Sequence, residues 1–259
     1  MSHGDYEVTE EALQLARKLM FETWSDAYAK IKFAVNFEAI IMDEANDLAE
    51  FCVEADTRTA TILLVSFLED AIKKVFVEYW KVKTRQAEDR YFGGNGPLST
   101  FSQRALVAKG MSWITAEQST ELDVVRKIRN NFAHDHRIHS LTEIKMSSLI
   151  ARLDNREQTW CQLAGYKKAH DLASDETIFR MRVFCCGMFN VSRILKSAKL
   201  QRSEIPIEFR PDPSWSALLE IEQGLIDAAM KYCWLSLGLG YSGAAYQYRR
   251  ERKVLGEDT

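Results

Sequence analysis

The stretch "TATILLVSFLEDAIKKVFVEYW", residues 59–80, decides the fold class of this chain. Its apolar side chains recur every three or four residues, which is the period of an α-helix. They are Ala60, Leu63, Leu64, Phe67, Leu68, Ala71, Ile72, Val75, Phe76 and Tyr79. So wide a stripe on one long helix predicts burial from more than one side, and therefore several neighbouring helices.

Helical patterns continue on both sides of this stretch, and no pair of strands stands out. Amphipathic patterns occupy residues 7–55, and further helices are predicted over 100–108, 115–134, 140–163, 175–200 and 216–240. Only 12 Gly and 4 Pro occur in 259 residues, and few breakers favour long helices. The sequence predicts an all-α multi-helix bundle in a single domain, residues 1–259, with a core at about 55–150 and a helical extension at 151–259.

Bulk properties limit the function. The net charge of −3 is not that of a protein that coats nucleic acid, so such a contact needs a local basic patch. The N-terminus has no apolar signal segment, and no long uncharged apolar run occurs, which predicts a cytoplasmic protein without membrane contact. The five cysteines are then expected to be reduced, buried thiols.

Polar groups concentrate in "RKIRNNFAHDH", residues 126–136, near the end of a helix for which Thr115 and Gln118 form a capping-box pattern. Arg126, Asn130 and His134 are four residues apart and share a face. Arg129 lies about 140° from His134 on an ideal helix. They would meet only if the helix unwinds near Ala133, or if a two-fold homodimer brings two copies together.

Arg129, His134 and Asn130 are the candidate catalytic residues. An arginine stabilises a pentacovalent phosphate, a histidine acts as acid or base near neutral pH, and an asparagine orients by hydrogen bonding. Together they would suit metal-independent cleavage of RNA through its own 2′-hydroxyl. The structural alternative is that the same cations and asparagines cap the last carbonyls of the helix.

Two other kinds of site, a zinc site and a phosphate-binding loop, are not predicted. His134, His136, His139 and Asp135 are residue types that bind zinc, but their spacing matches no helix-borne ligand pattern. The glycine-rich "FGGNGPLST", residues 92–100, lacks the Gly-Lys-Ser/Thr of a phosphate-binding loop and reads as a turn. The sequence therefore predicts neither a metal nor a cofactor.

Three blocks in order resemble the mannitol operon repressor family: "ATILLVSFLEDAIKKVF", "FGGNGPLSTFSQRALVAKGMSWIT" and "LDVVRKIRNNFAHD", within residues 55–150. The resemblance implies an all-helical fold without a recognisable helix-turn-helix, a dimer, and a role in gene regulation. It also gives Arg104, in the second block, a place beside Glu69 or Asp70, where we expect the pair to stabilise the fold.

Arg129 and His134 also resemble the R-x4-H motif of HEPN domains, many of which are metal-independent ribonucleases of toxin or phage-defence systems with a site shared across a dimer. Two functions are therefore expected. The first is a mannitol-repressor-like regulator acting through protein or limited nucleic-acid contacts in a homodimer, with RNA or a regulatory protein as partner. The alternative is a HEPN-type endoribonuclease that uses Arg129, His134 and Asn130.

Overall fold

A computed structural model describes residues 40–163, 165–202 and 216–239. Most of these residues are helical, and no strand occurs among them. The helices are α1 (residues 40–54), α2 (Thr57–Tyr79), α3 (Arg85–Phe92), α4 (Phe101–Gly110), α5 (Ala116–His134), α6 (Ile144–Ile150), α7 (Arg156–Leu163), α8 (Lys167–Asp171), α9 (Asp175–Arg202) and α10 (Ser216–Ser236). The prediction of an all-α fold is confirmed.

The bundle is built around α9, which packs against α2, α5, α6, α7 and α10. The helix predicted from residues 59–80 is α2, and it contacts α4 and α5 as well as α9. Its core positions include Leu64, Leu68, Ile72 and Phe76, each almost completely buried. Burial of α2 from more than one side is therefore confirmed, although Leu63 is 38% exposed.

Local signals set the helix boundaries. The Asp56 carboxylate accepts a hydrogen bond from Thr59 N at 3.0 Å and caps α2. Thr115 and Gln118 form the predicted capping box of α5, and Thr100 and Gln103 form another at α4. The loop predicted over residues 92–100 begins one residue later, at Gly93, because Phe92 is the last residue of α3. A Cβ on Gly96 would lie 2.3 Å from the carbonyl oxygen of Tyr91, so a larger residue there must displace backbone.

The continuous helix predicted over residues 140–163 is wrong. Residues 151–155 form a turn that separates α6 from α7. The sequence there, Ala151 to Asn155, ends in an Asp-Asn pair that favours turns over helix interiors.

The predictions for residues 7–37, the proline-rich segment 205–215 and the charged tail after 240 fall outside the described residues. The single-domain boundary, 1–259, stays a prediction, whereas the described residues from 42 onward belong to one compact unit.

All five cysteines are free and buried, as expected. Burial raises the pKa of Cys52 to about 11 and that of Cys186 to about 12, which disfavours their thiolates. In the part of the chain that the structure describes, no helix is long and apolar enough to cross a membrane.

Candidate functional site

The end of α5 carries the three candidate catalytic residues. The helix is regular through Ala133 and ends at His134, with Asp135 as its C-cap. The helix therefore does not unwind near Ala133, as it would have to for Arg129 and His134 to meet within one chain. Within one chain the two side chains stay on different faces, as the periodicity predicts.

Arg129 points to α2 rather than to His134. Its Nη2 lies 3.4 Å from a carboxylate oxygen of Glu69, and its Nη1 donates to the side-chain oxygen of Asn130 at 3.0 Å. The other Glu69 oxygen lies 3.7 Å from Nη1 of the buried Arg104. One carboxylate thus lies between two arginines and links α2 to α4 and α5.

Arg104 lies beside Glu69, as expected. Its Nε donates to Leu98 O at 2.7 Å and its Nη1 to Glu69 O at 2.9 Å, so it ties the glycine-rich loop to α2. Burial lowers the pKa of Arg104, while the neighbouring carboxylates of Glu69 and Asp70 act to raise it.

His134 opens onto a surface groove of about 480 Å³ at the end of α5, the terminal groove. Its side chain is exposed and has no hydrogen-bond partner among the described residues. Asn130 lines the groove with it, one helical turn away, whereas Arg129 does not. The lining residues are Asn130, Asn131, His134, Asp135, His136, Arg137 and Lys145.

The groove carries a small excess of positive charge. Arg137 and Lys145 supply two cations, and Asp135 supplies one carboxylate. Hydrogen bonds from Arg137, at 3.0 Å from Nε and 3.1 Å from Nη2, hold the pKa of Asp135 down to about 2. Asp135 is therefore ionised at neutral pH and paired, which leaves Lys145 and the two imidazoles to face a ligand.

Arg58, from the first turn of α2, fixes the carbonyl groups at this helix end. Its guanidinium donates to Phe132 O, to Asp135 O at 3.1 Å and to His136 O at 3.5 Å. A helix C-terminus carries partial negative charge and unpaired carbonyls, so a cation here both caps and neutralises it.

Two carboxylates fix the amide groups of the loop that follows. Glu176, in the first turn of α9, accepts from Leu141 N at 2.9 Å, and from the hydroxyls of Thr57 and Ser140. Glu143 accepts from His139 N at 2.7 Å. The loop 135–142 is therefore held from both sides, and it presents the His136 side of the groove on a fixed backbone.

The sequence did not indicate that Arg58, Glu143, Lys145 and Glu176 contribute to the terminal groove or its supporting loop. A sequence signal existed for Arg58 only. It is a cation in the first turn of a helix, where the macrodipole disfavours it unless it has a partner elsewhere. Glu176 carried no such signal, since acidic residues are ordinary in a first turn.

We expect Arg58→Gln to destabilise the protein by about 1.5–3 kcal/mol, because charged hydrogen bonds to three carbonyls are lost. Hydrogen exchange of the amides in 135–142 should accelerate more than that of α9, and urea unfolding should give the loss of stability. The matched control is Arg85→Gln, which removes an exposed arginine from the first turn of α3. Unchanged exchange in the loop would show that Arg58 does not hold it.

Among the described residues, no group of three His, Cys, Asp or Glu side chains could hold a metal ion. Asp135 is the one carboxylate among the residues of zinc-binding type near His134, and it forms an ion pair with Arg137.

Comparisons with protein-family models, curated proteins and solved structures gave no match. The resemblances to the mannitol operon repressor family and to the HEPN motif therefore stay predictions that depend on the residues alone.

Proposed function

We propose that this protein is a mannitol-repressor-like regulator that acts in a homodimer and makes a limited contact with RNA through the terminal groove. The observation that carries the proposal is the exposed His134 beside Asn130 and Lys145, on a backbone held by Arg58 and Glu176. Imidazole, amide and ammonium donors beside a fixed backbone suit phosphate oxygens. The groove has one excess positive charge, which suits contact with a few phosphates rather than an extended electrostatic interface.

We expect the variant Arg137→Gln/Lys145→Gln to bind single-stranded RNA more weakly at low salt. Because the phosphate contact of Lys145 is lost, the slope of log K against log salt should become shallower by about 0.7, the value per phosphate for single strands, and loss of Arg137 leaves the Asp135 carboxylate unpaired, which weakens binding further. Fluorescence anisotropy of a labelled oligoribonucleotide across a salt series measures both effects. The control is Arg152→Gln/Lys168→Gln, which removes two exposed cations elsewhere. Equal slopes in the two variants would reject the groove as the contact.

A second candidate function is metal-independent RNA cleavage, favoured by the exposed imidazole of His134, which has no hydrogen-bond partner within the described ranges. In that reaction the 2′-hydroxyl gives its proton to a neutral imidazole or to water and attacks phosphorus, and the 5′-oxygen leaves with a proton from an imidazolium, giving a 2′,3′-cyclic phosphate. Arg129 lies with Glu69 in its own chain. Stabilising the phosphorane with Arg129 would therefore require the Arg129 of a second copy, or release of Arg129 from Glu69.

If the protein cleaves RNA, His134→Ala should lower the rate by about 10²–10⁴-fold, since that is what a general acid or base contributes. RNA is incubated with wild type and variant in the presence of EDTA, and the products are separated on a denaturing gel. Lys168→Gln is the control, because it is exposed and remote in sequence from the groove. Equal cleavage by wild type and His134→Ala would point to a contaminant, and no cleavage by either would leave only the binding function.

A further inference from the structure

Two aromatic side chains are exposed where α2 and α3 end. Trp80 is 37% exposed and Tyr91 is 38% exposed, and their ring centroids lie 5.7 Å apart at 67°. The buried Phe76 contacts the same indole edge-to-face at 5.2 Å. These contacts fix the indole ring, while more than a third of Trp80 stays accessible to solvent.

Basic residues lie close to Trp80 and Tyr91 in the sequence. Lys81, Lys83, Arg85 and Arg90 are exposed, and none of them has an ion-pair partner among the described residues. Of the two carboxylates in the same stretch, Glu88 is paired with Lys73 at 2.5 Å. The surface formed by Trp80, Tyr91 and the four cations, the aromatic–basic surface, is therefore positively charged although the whole chain is acidic.

The backbone at Lys81 supports a role for its side chain. α2 ends in a Schellman motif, in which Val82 N donates to Val77 O at 2.9 Å and Lys81 N donates to Glu78 O at 3.2 Å. Lys81 occupies the left-handed position of this motif, with φ of 51°. Glycine adopts this conformation without strain, so the protein is less stable with lysine at position 81 than it would be with glycine.

We infer that the aromatic–basic surface binds single-stranded RNA, with an unpaired base stacked on Trp80 and phosphates paired with the lysines and arginines around it. Exposed aromatic faces combined with cations are how proteins hold unpaired strands without reading their sequence. The choice of RNA rests on the proposed function, but the surface is a separate one. Arg58 and Trp80 lie at opposite ends of α2, about 33 Å apart along its axis.

The test compares two labelled oligomers of about six nucleotides, within the usual site size of a single-strand binder. One is oligouridylate, and the other is an abasic ribose-phosphate chain of equal charge. Wild type should prefer the oligomer that carries bases. Trp80→Leu should lose that preference, with affinity for oligouridylate falling roughly fivefold to a hundredfold, while affinity for the abasic chain is unchanged. Leu172→Ala, which trims another exposed apolar side chain, is the control.

Lys81→Gly separates binding from folding. It should raise the melting temperature, because the left-handed strain is relieved, and still weaken binding of both oligomers. If Trp80→Leu proves unstable, Trp80→Phe keeps a ring and should keep part of the preference. Equal binding of both oligomers by wild type would overturn the inference, as would an unchanged preference in a folded Trp80→Leu.

The same assay distinguishes this inference from the proposed function. The groove variant Arg137→Gln/Lys145→Gln should keep the preference for bases. If it binds RNA as wild type does while Trp80→Leu does not, the aromatic–basic surface is supported and the groove is rejected. If only the groove variant loses binding, this inference fails and the proposed function stands. A deoxyribose oligomer in a third arm that bound more tightly than the RNA would contradict the choice of RNA.

Discussion

Glu121→Gln is expected to destabilise the protein by about 1.5–3 kcal/mol, because it weakens the charged hydrogen bonds that Arg156 and the buried Asn190 donate to this carboxylate, while Asp154 remains paired with Arg156 at 3.4 Å. Glu121 is 7% exposed and accepts three hydrogen bonds. The donors are Arg156 Nη1 at 2.8 Å, Asn190 Nδ2 at 2.9 Å and Asp154 N at 3.2 Å. One carboxylate therefore joins α5, which carries the candidate site, to α9 and to the start of α7.

Urea unfolding followed by circular dichroism measures this loss. Glu117→Gln is the matched control on the same helix: its side chain is exposed, so its effect should stay within about 0.5 kcal/mol. A second arm, Glu121→Leu/Arg156→Met, removes both charges and should recover much of the stability, since buried ion pairs replaced by apolar groups are often neutral. A loss below about 1 kcal/mol for Glu121→Gln would mean that Arg156 is hydrated or is held by the Asp154 carboxylate alone.

The elements that sequence predicted well are those fixed by local chemistry. The period of the apolar residues in 59–80, the Thr115–Gln118 capping box and the glycines of 93–96 each act within a few residues. The break at 151–155 was missed because the residues on both sides of it look equally helical. Periodicity also gave the separate faces of Arg129 and His134, which follow from helix geometry alone.

The surroundings of the candidate site depend on contacts between distant residues, which no local pattern encodes. Arg58 reaches carbonyls more than 70 residues away, and Glu121 meets Asn190 across 69 residues. Helical periodicity shows that a face is apolar, but it does not say which helix covers it. The contact of Arg129 with Glu69 and the terminal groove around His134 therefore could not be predicted from the sequence. The sequence did indicate Arg129, Asn130 and His134 as candidate site residues.

The crossing of α2 and α9 depends on a close fit between Leu68 and Gly187. Leu68 is fully buried, and a Cβ on Gly187 would lie 2.7 Å from one of its methyl carbons. Leu68→Ala should cost about 2–5 kcal/mol through lost burial and the cavity left behind. Gly187→Ala should cost about 1–3 kcal/mol by overpacking, which outweighs the gain of up to about 1 kcal/mol that alanine brings to a helix interior.

The double variant Leu68→Ala/Gly187→Ala should cost less than the sum of the two single changes, because the new methyl group enters the space that the leucine vacates. We expect a coupling of about 0.5–3 kcal/mol from a double-mutant cycle measured by urea unfolding. Gly110→Ala is the control for helix propensity: its Cβ would meet nothing within 4 Å, so it should be neutral or stabilising by up to about 1 kcal/mol. Strict additivity in the cycle would mean that α2 and α9 separate or shift to accept the methyl group, and that the contact is not what sets their distance.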